Sequence, residues 1–366
     1  MMLRFLCSAA LSLGLAVSAF SAVASAEDKV LNVYNWSDYV APDTIANFEK
    51  ETGIKVRYDL FESYDSLYAK LLAGHSDYDV VFPSAWVMGK MIKAGVFHKL
   101  DKSKLSNTAT LNPTIMKVLA QYDPGNEHAV PYMRWSTGIA YDVDKVKKIL
   151  PDAPLDSAAL IFDPANAEKL SQCGIEMVDS SEEIVGMALG YLGKNPLSTD
   201  PADLKAAQEM MAKIRPYMKK IGPGIYNDLA NGEACVAIIW SGDFRLATDA
   251  IATAKSPIKL TYMVPKEGSF LGLDAVAIPS DAPHYENALL FINYLMRPDV
   301  IAGITNFVHY ANANTAADTL VATDIRNDPV TYPTDEILQR LLPMEAKSDQ
   351  GLRAITRLWT NFMSGH

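Results

Sequence analysis

Residues 30–83 read VLNVYNWSDYVAPDTIANFEKETGIKVRYDLFESYDSLYAKLLAGHSDYDVVFP. Val30 to Asn35 alternates and is rich in β-formers, which predicts a strand. Pro42 suits a first helical turn, Ile45 and Phe48 share one helical face, and Gly53 can end that helix. Ile54 to Leu60 alternates again as a strand. Leu67, Leu71 and Leu72 mark a second helical stripe ending at Gly74, and Asp79 to Pro83 reads as a short buried strand. A β-α-β-α-β order of this kind predicts an α/β fold with a mainly parallel sheet flanked by helices on both faces.

The same signals continue outward. Helical runs are expected near Asp144 to Leu150, Ala202 to Ile214 and Tyr285 to Met296, and a strand at Ala234 to Trp240. A chain of 366 residues exceeds what a single core of ~250–300 residues normally accommodates. No tandem repeat or low-complexity linker divides it, although turns rich in Pro and Gly occur at Asp123-Pro124-Gly125, Gly222-Pro223-Gly224 and Pro265 to Gly268. Two α/β lobes joined by short strand-like crossings fit this pattern, and the cleft between them is the default ligand site.

Residues 1–26 stand apart from the fold. Arg4 is their only charge, Phe5 to Ala19 is mostly apolar, and Ala24-Ser25-Ala26 places small residues before Glu27. This is the pattern of a secretory signal peptide cleaved after Ala26. An uncleaved anchor fits less well, and Cys7 lies too early in the apolar run for a lipid-anchored cysteine. No later stretch offers the ~18 consecutive apolar residues of a membrane span. The expectation is therefore a soluble mature protein outside the cytoplasm.

The formal net charge is −10, and one unit more negative once Arg4 leaves with the leader. Phosphate backbones repel such a protein, and no basic run suits anionic lipid, so cationic partners are favoured and nucleic acid is excluded. Cleavage also removes Cys7, leaving Cys173 and Cys235 in an oxidising compartment. An even pair there favours one disulfide over two separate buried thiols.

Catalytic signatures are absent from the sequence: there is no G-x-S-x-G, P-loop, C-x-x-C or H-E-x-x-H pattern. Ser256-Pro257-Ile258-Lys259 matches S-x-x-K, but Pro257 disfavours the helix interior that motif needs. The six histidines show no ligand spacing, so no metal or cofactor is expected. Asn35-Trp36-Ser37 matches a glycosylation sequon, yet it reads better as binding chemistry. Aromatic and acidic residues coincide at strand ends: Trp36-Ser37-Asp38-Tyr39, Trp240-Ser241-Gly242-Asp243, and Asp274 beyond a Gly-containing turn. Parallel strands deliver ligand groups at their carboxyl ends. Carboxylates neutralise an ammonium and an aromatic face adds ~0.5–2 kcal/mol of cation–π attraction, so this combination suits a small organic cation. For any one cluster the simpler alternative is a core Trp beside a helix-capping Asp.

Taken together, Asn35-Trp36-Ser37-Asp38-Tyr39, the run Asn47 to Val56, Val81-Phe82-Pro83-Ser84, Asp228 to Gly232, Cys235 to Ile238, Pro265 to Gly268, Tyr294 to Val300 and Tyr310 to Asn314 closely resemble periplasmic polyamine-binding proteins. These are the receptors of putrescine and spermidine ABC importers, and the likeness runs through the whole mature chain. It implies a two-lobed, non-enzymatic receptor that closes on its ligand and docks on an inner-membrane permease. The lobes implied are 27–133 with 264–305, and 134–263 with 306–366. It also implies a Cys173–Cys235 disulfide. No exposed heptad or swapped element is visible in the sequence, so a monomer is expected, with no cofactor or metal. Carried over residue by residue, Trp36, Tyr310 and Trp240 are aromatic walls and Ser37 and Ser84 polar contacts. Asp38, Glu183, Asp243 and Asp274 are the acids that meet amino groups, and Trp86 is a selectivity position.

The chain also departs from that pattern. The family usually carries an aromatic two residues before the acid at 274, where this sequence has Gly272; one wall is then missing, or Phe270 replaces it. Arg134 stands where relatives tend to have an apolar or aromatic residue, and Arg245 lies two residues beyond Asp243. Each Arg either pairs with a neighbouring acid or faces solvent, or else reaches the pocket. In the latter case a carboxylate bound through two parallel hydrogen bonds would make the ligand an ω-amino acid such as 4-aminobutyrate. A more distant alternative is a secreted hydrolase using Glu182 with Glu183, or Asp243 with Asp274; adjacent Glu182 and Glu183 are also what the first turn of a helix favours.

Overall fold

The computed structural model describes residues 28–365, so the signal-peptide expectation lies outside the described residues. Among the described residues eleven strands form one hydrogen-bonded sheet. They are β1 (Val30–Trp36), β2 (Lys55–Phe61), β3 (Val80–Val81), β4 (Ala129–Asp142), β5 (Ile175–Met177), β6 (Met218–Ile221), β7 (Val236–Trp240), β8 (Leu260–Met263), β9 (Ser269–Ala277), β10 (Ala311–Asn312) and β11 (Leu341–Pro343). Their order is β2-β1-β3-β9-β4-β7-β5-β6, with β8 and β10 on β4 and β11 on β9.

The two wings are parallel: β1 pairs with β2 and β3, and β5 with β6 and β7. Between them the sheet is antiparallel. Residues 129–136 of β4 pair with β9, and residues 137–141 of the same strand pair with β7. One 14-residue strand thus belongs to both wings and passes from one to the other at Ser136 and Thr137. A register shift between Pro131 and Arg134 accommodates Pro131, which cannot donate to a ladder.

Local sequence explains the wings. Leu31 and Val33 of β1 have no exposed surface, while β2, with Lys55, Arg57 and Asp59, is a mostly exposed edge strand. Such charges blunt an open sheet edge. Interior β7 is buried from Val236 to Ile239, the continuous apolar run of a strand covered on both faces. The first helix runs Thr44–Thr52 and ends at Gly53; Pro42 lies in the turn before it, not inside its first turn. Phe48 enters the core against Phe291, with ring centroids 4.9 Å apart. The second helix, Tyr64–Leu72, buries Leu67 and Leu71, but Leu72 is 55% exposed at its end.

Cys173 and Cys235 form a disulfide with Cα atoms 5.4 Å apart across a sequence separation of 62. It ties the turn before β5 to the entry of β7. Among the described residues no single helix is long and apolar enough to cross a membrane, and no cluster of His, Cys, Asp and Glu is arranged to hold a metal ion.

Candidate ligand-binding site

Two pairs of parallel strands, one pair from each wing and running opposite to the other, bring their carboxyl ends to one slot. β1 ends in Trp36 and runs into Ser37 and Asp38; β3 leads through Pro83 to Ser84; β7 ends in Trp240 and enters the Ser241–Ala254 helix, whose first turn carries Asp243; β5 leads to the Ser181–Tyr191 helix, whose first turn carries Glu182 and Glu183. The crossing strands β4 and β9 close the slot from below with Trp135 and Asp274. Trp36, Ser37, Asp38, Tyr39, Tyr64, Trp135, Trp240, Asp243, Asp274 and Tyr310 line a cavity of about 70 Å³. That is well under the ~300–1,000 Å³ of drug-sized pockets, so a slender molecule is what fits.

The aromatic rings enclose this slot. Trp36 stands edge-on to Tyr64 with centroids 4.8 Å apart and faces Trp240 at 6.3 Å. Trp240 also lies 6.2 Å from Trp135, and Tyr39 lies 5.4 Å from Tyr310. Tyr310 can approach because Gly242 has no side chain: a Cβ there would sit 2.2 Å from its ring carbons.

Carboxylates are spread along the slot in different states of satisfaction. Asp274 accepts from the Tyr39 hydroxyl at 2.6 Å and Trp135 Nε1 at 3.1 Å, and from Ser84 Oγ. Burial pushes its pKa up to about 6 against the pull of these three donors. Asp243 accepts one long bond, 3.3 Å, from the Tyr310 hydroxyl, and burial raises its pKa to about 7 with help from Asp38. Asp38, held in the left-handed backbone region at φ 52°, which Asp tolerates better than most residues, accepts from Tyr226 at 3.4 Å. No lysine or arginine lines the cavity. An acid-lined, aromatic-walled slot lacking its own cation is electrostatically incomplete.

Seven of the ten residues expected from sequence to bind ligand line the slot: Trp36, Ser37, Asp38, Trp240, Asp243, Asp274 and Tyr310. The other three stand behind it. Ser84 is fully buried and holds Asp274. Glu183, also fully buried, accepts from Trp240 Nε1 at 3.1 Å and from Ser180 and Thr137; burial raises its pKa to about 7. Trp86 packs edge-on against Tyr64 at 4.9 Å and Trp135 at 5.8 Å. Tyr39, part of the cluster read after β1 but given no role of its own, also lines the slot, and Tyr64 and Trp135 join it without having been expected there.

None of the four residues considered for altered selectivity lines the cavity. Arg134 precedes Trp135 in β4, and neighbours on a strand face opposite ways; its guanidinium is buried beside Tyr332 and Asp318, and desolvation draws its pKa below the usual value. Arg245 pairs with Asp328 at 3.5 Å. The Phe270 ring, 1% exposed, is seated over Gly186 in the core, so it does not replace a wall. Gly272 is covered by the Trp135 indole. As for the acid pair considered for hydrolysis, Glu182 meets Lys347 at 3.2 Å and Glu183 is occupied by its three donors.

A larger depression of about 550 Å³ lies on the surface near Lys50, Glu51, Arg297 and Asp299. Arg297 meets Glu51 at 2.9 Å and Asp299 at 2.8 Å, so charge there is already matched, and the smaller slot remains the candidate site.

The description of bacterial extracellular solute-binding proteins fits residues 43–333. The chain is similar to the putrescine-binding periplasmic protein SpuD of Pseudomonas aeruginosa, 50% identical over 97% of each chain. It is similar also to the putrescine-binding periplasmic protein PotF of Escherichia coli, 45% identical over 96% of this chain and 97% of the other. Among solved structures, one chain from Listeria monocytogenes assigned to a spermidine/putrescine ABC transporter superposes with a TM-score of 0.83 at 31% identity, covering 93% of this chain and all of that one.

Proposed function

The chain belongs to the bacterial extracellular solute-binding proteins, and from that footing we propose that it is a periplasmic receptor for polyamines, delivering putrescine, spermidine or a related cation such as agmatine to an inner-membrane ABC permease. The observation that carries this role is the slot itself, where Asp38, Asp243 and Asp274 lie between aromatic walls with no lysine or arginine among them. A linear amine supplies the missing positive charge at separated points, so that neither end is buried unpaired. Its methylene chain lies against indole and phenol faces, which also attract the ammonium groups. Relatives that bind putrescine in the periplasm support the ligand class and the compartment.

The receptor works by binding and closure and not by chemistry, and it acts as a monomer. Asp38, Ser37, Trp36 and Asp274 grip the ligand from one side, Asp243 and Trp240 from the other, with Tyr310 closing the end. Ser84 and Glu183 act from behind, holding Asp274 and Trp240 in place. Tyr64 lines both the slot and a neighbouring cavity of about 60 Å³ that Trp86 and Glu182 also line, which makes Trp86 the residue placed to limit ligand length. With Arg134 and Arg245 both turned away, an amine is favoured over 4-aminobutyrate, whose carboxylate would meet no lysine or arginine and would face three acids.

The test is calorimetric titration of the purified chain, unfolded and refolded to strip carried-over ligand, with putrescine, spermidine, agmatine and 4-aminobutyrate. Tight binding of at least one of the first three and none of 4-aminobutyrate is expected. Preference for 4-aminobutyrate, or binding of none of the four, overturns the assignment.

A further inference from the structure

Trp135 and Gly272 are direct partners across the antiparallel β4–β9 pair. Side chains of such a pair leave the same face of the sheet and share a space only ~5 Å wide. Gly272 contributes nothing to it, and a Cβ built there would lie 2.1 Å from the indole carbons of Trp135. The indole therefore occupies the room that any side chain at 272 would need. In that position it lines the slot, and its Nε1 donates to Asp274 Oδ2 at 3.1 Å. Asp274 is two residues from Gly272 along β9, on the same face of the strand. Trp86 backs the ring at 5.8 Å and Trp240 flanks it at 6.2 Å.

We propose that Trp135, seated over Gly272, is a specificity-determining residue of the slot: it forms the wall along the ligand's alkyl chain and sets the Asp274 carboxylate for the terminal ammonium. The assignment presupposes the receptor role above. Its physical core is exclusion. One strand of the pair can carry the ring and the other cannot, because two aromatic side chains at directly opposed positions would claim the same volume. The chain therefore has its wall, delivered from β4 and not from β9.

A reciprocal exchange tests this. Putrescine affinity is measured for the wild type, Trp135→Ala, Gly272→Phe and the double variant, with a thermal melt of each ligand-free protein. Trp135→Ala should weaken binding by more than about tenfold through loss of ring contact and of the Asp274 donor. Gly272→Phe alone should lose at least as much, since its ring collides with the indole. Combined, the two should recover affinity to within about tenfold of the wild type, a strongly non-additive cycle. Should Trp135→Ala fold poorly, Trp135→Phe keeps a ring without the indole donor and should fall between the two. Wild-type affinity in Trp135→Ala, or a double variant no better than the sum of the single losses, overturns the assignment. A wild type that binds no polyamine overturns the receptor role and this assignment with it, whereas a binding wild type with an indifferent Trp135 overturns this assignment alone.

Discussion

At the scale of single residues, the slot's acids divide by what holds them. Asp274 has three donors around it, whereas Asp243 has one long contact. Asp243 is therefore the carboxylate with most to gain from an incoming ammonium. Asp243→Asn should weaken putrescine binding by roughly 30-fold or more, as expected when one member of a desolvated charge pair is removed at a cost of ~2–5 kcal/mol. Combining it with Asp274→Asn should abolish binding while the ligand-free melt stays cooperative; calorimetry showing unchanged affinity would remove both acids from the site. Glu183 makes a different prediction, about stability. Its pKa is raised to about 7 by burial, above the ~4.3 of an unfolded chain. The folded state thus binds this proton more tightly, so the contribution is complete below about pH 4 and is lost as pH rises through about 7. Between pH 5 and 8 the melting temperature of the ligand-free wild type should fall relative to that of Glu183→Gln, by at most roughly 2–3 kcal/mol of stability. A pH-independent difference between the two proteins would mean that Glu183 is already ionised at pH 5.

At the scale of elements, the first parallel wing was legible because each of its strands and helices carries its own pattern, and aromatic and acidic residues sit at or just after the ends of β1 and β7. Of the second wing only β7 was legible, because β5 and β6 are three and four residues long, too short to show a period. What local patterns do not carry is pairing over long separations. The antiparallel centre arises from β4 meeting β9, and the wall from Trp135 meeting Gly272; neither partner marks the other within a sequence window. Tyr64 was hidden for a similar reason, since as the first residue of a helix capped by Ser63 it looks like ordinary helix entry. Arg134 drew attention by its charge, but strand alternation turns it away once Trp135 faces the slot. The disulfide is an element-scale tie with a separable consequence. It joins β7 at its beginning, and Trp240 stands at its end, five residues or about 16 Å further along a strand. Chain entropy assigns a cross-link of this span about 4 kcal/mol. Replacing both cysteines by serine should then lower the melting temperature by roughly 5–15 °C in a chain of this size and leave putrescine affinity within about threefold of the wild type. A large loss of affinity at a temperature where the variant is fully folded would show that the tie reaches the slot.

At the scale of the whole molecule, the same acids couple pH to closure. Residues from both wings meet across the slot: Trp36 at the end of β1 faces Trp240 at the end of β7, 6.3 Å between centroids, and Asp38 meets Tyr226. In this closed arrangement burial lifts Asp243 to about 7 and Asp274 to about 6, while in an opened cleft water would return both toward ~3.9. Protonation therefore favours closure, and ionisation without a cation opposes it, because uncompensated carboxylates would be held together in a poorly solvated space. An amine does by its charge what protons do at low pH. The ligand-free receptor should accordingly be open at pH 8 and contract toward the closed form near pH 5. Putrescine at pH 8 should produce the same contraction, and binding near pH 6 should release protons, with affinity falling as the solution is acidified. Small-angle scattering at the two pH values, with and without putrescine, reads the first part. Calorimetry in buffers of different ionisation enthalpy reads the second. Asp243→Asn with Asp274→Asn supplies the discriminating case. Its contraction should be independent of pH and of putrescine; if it still opens at pH 8 and closes at pH 5 like the wild type, closure is governed by groups outside the slot.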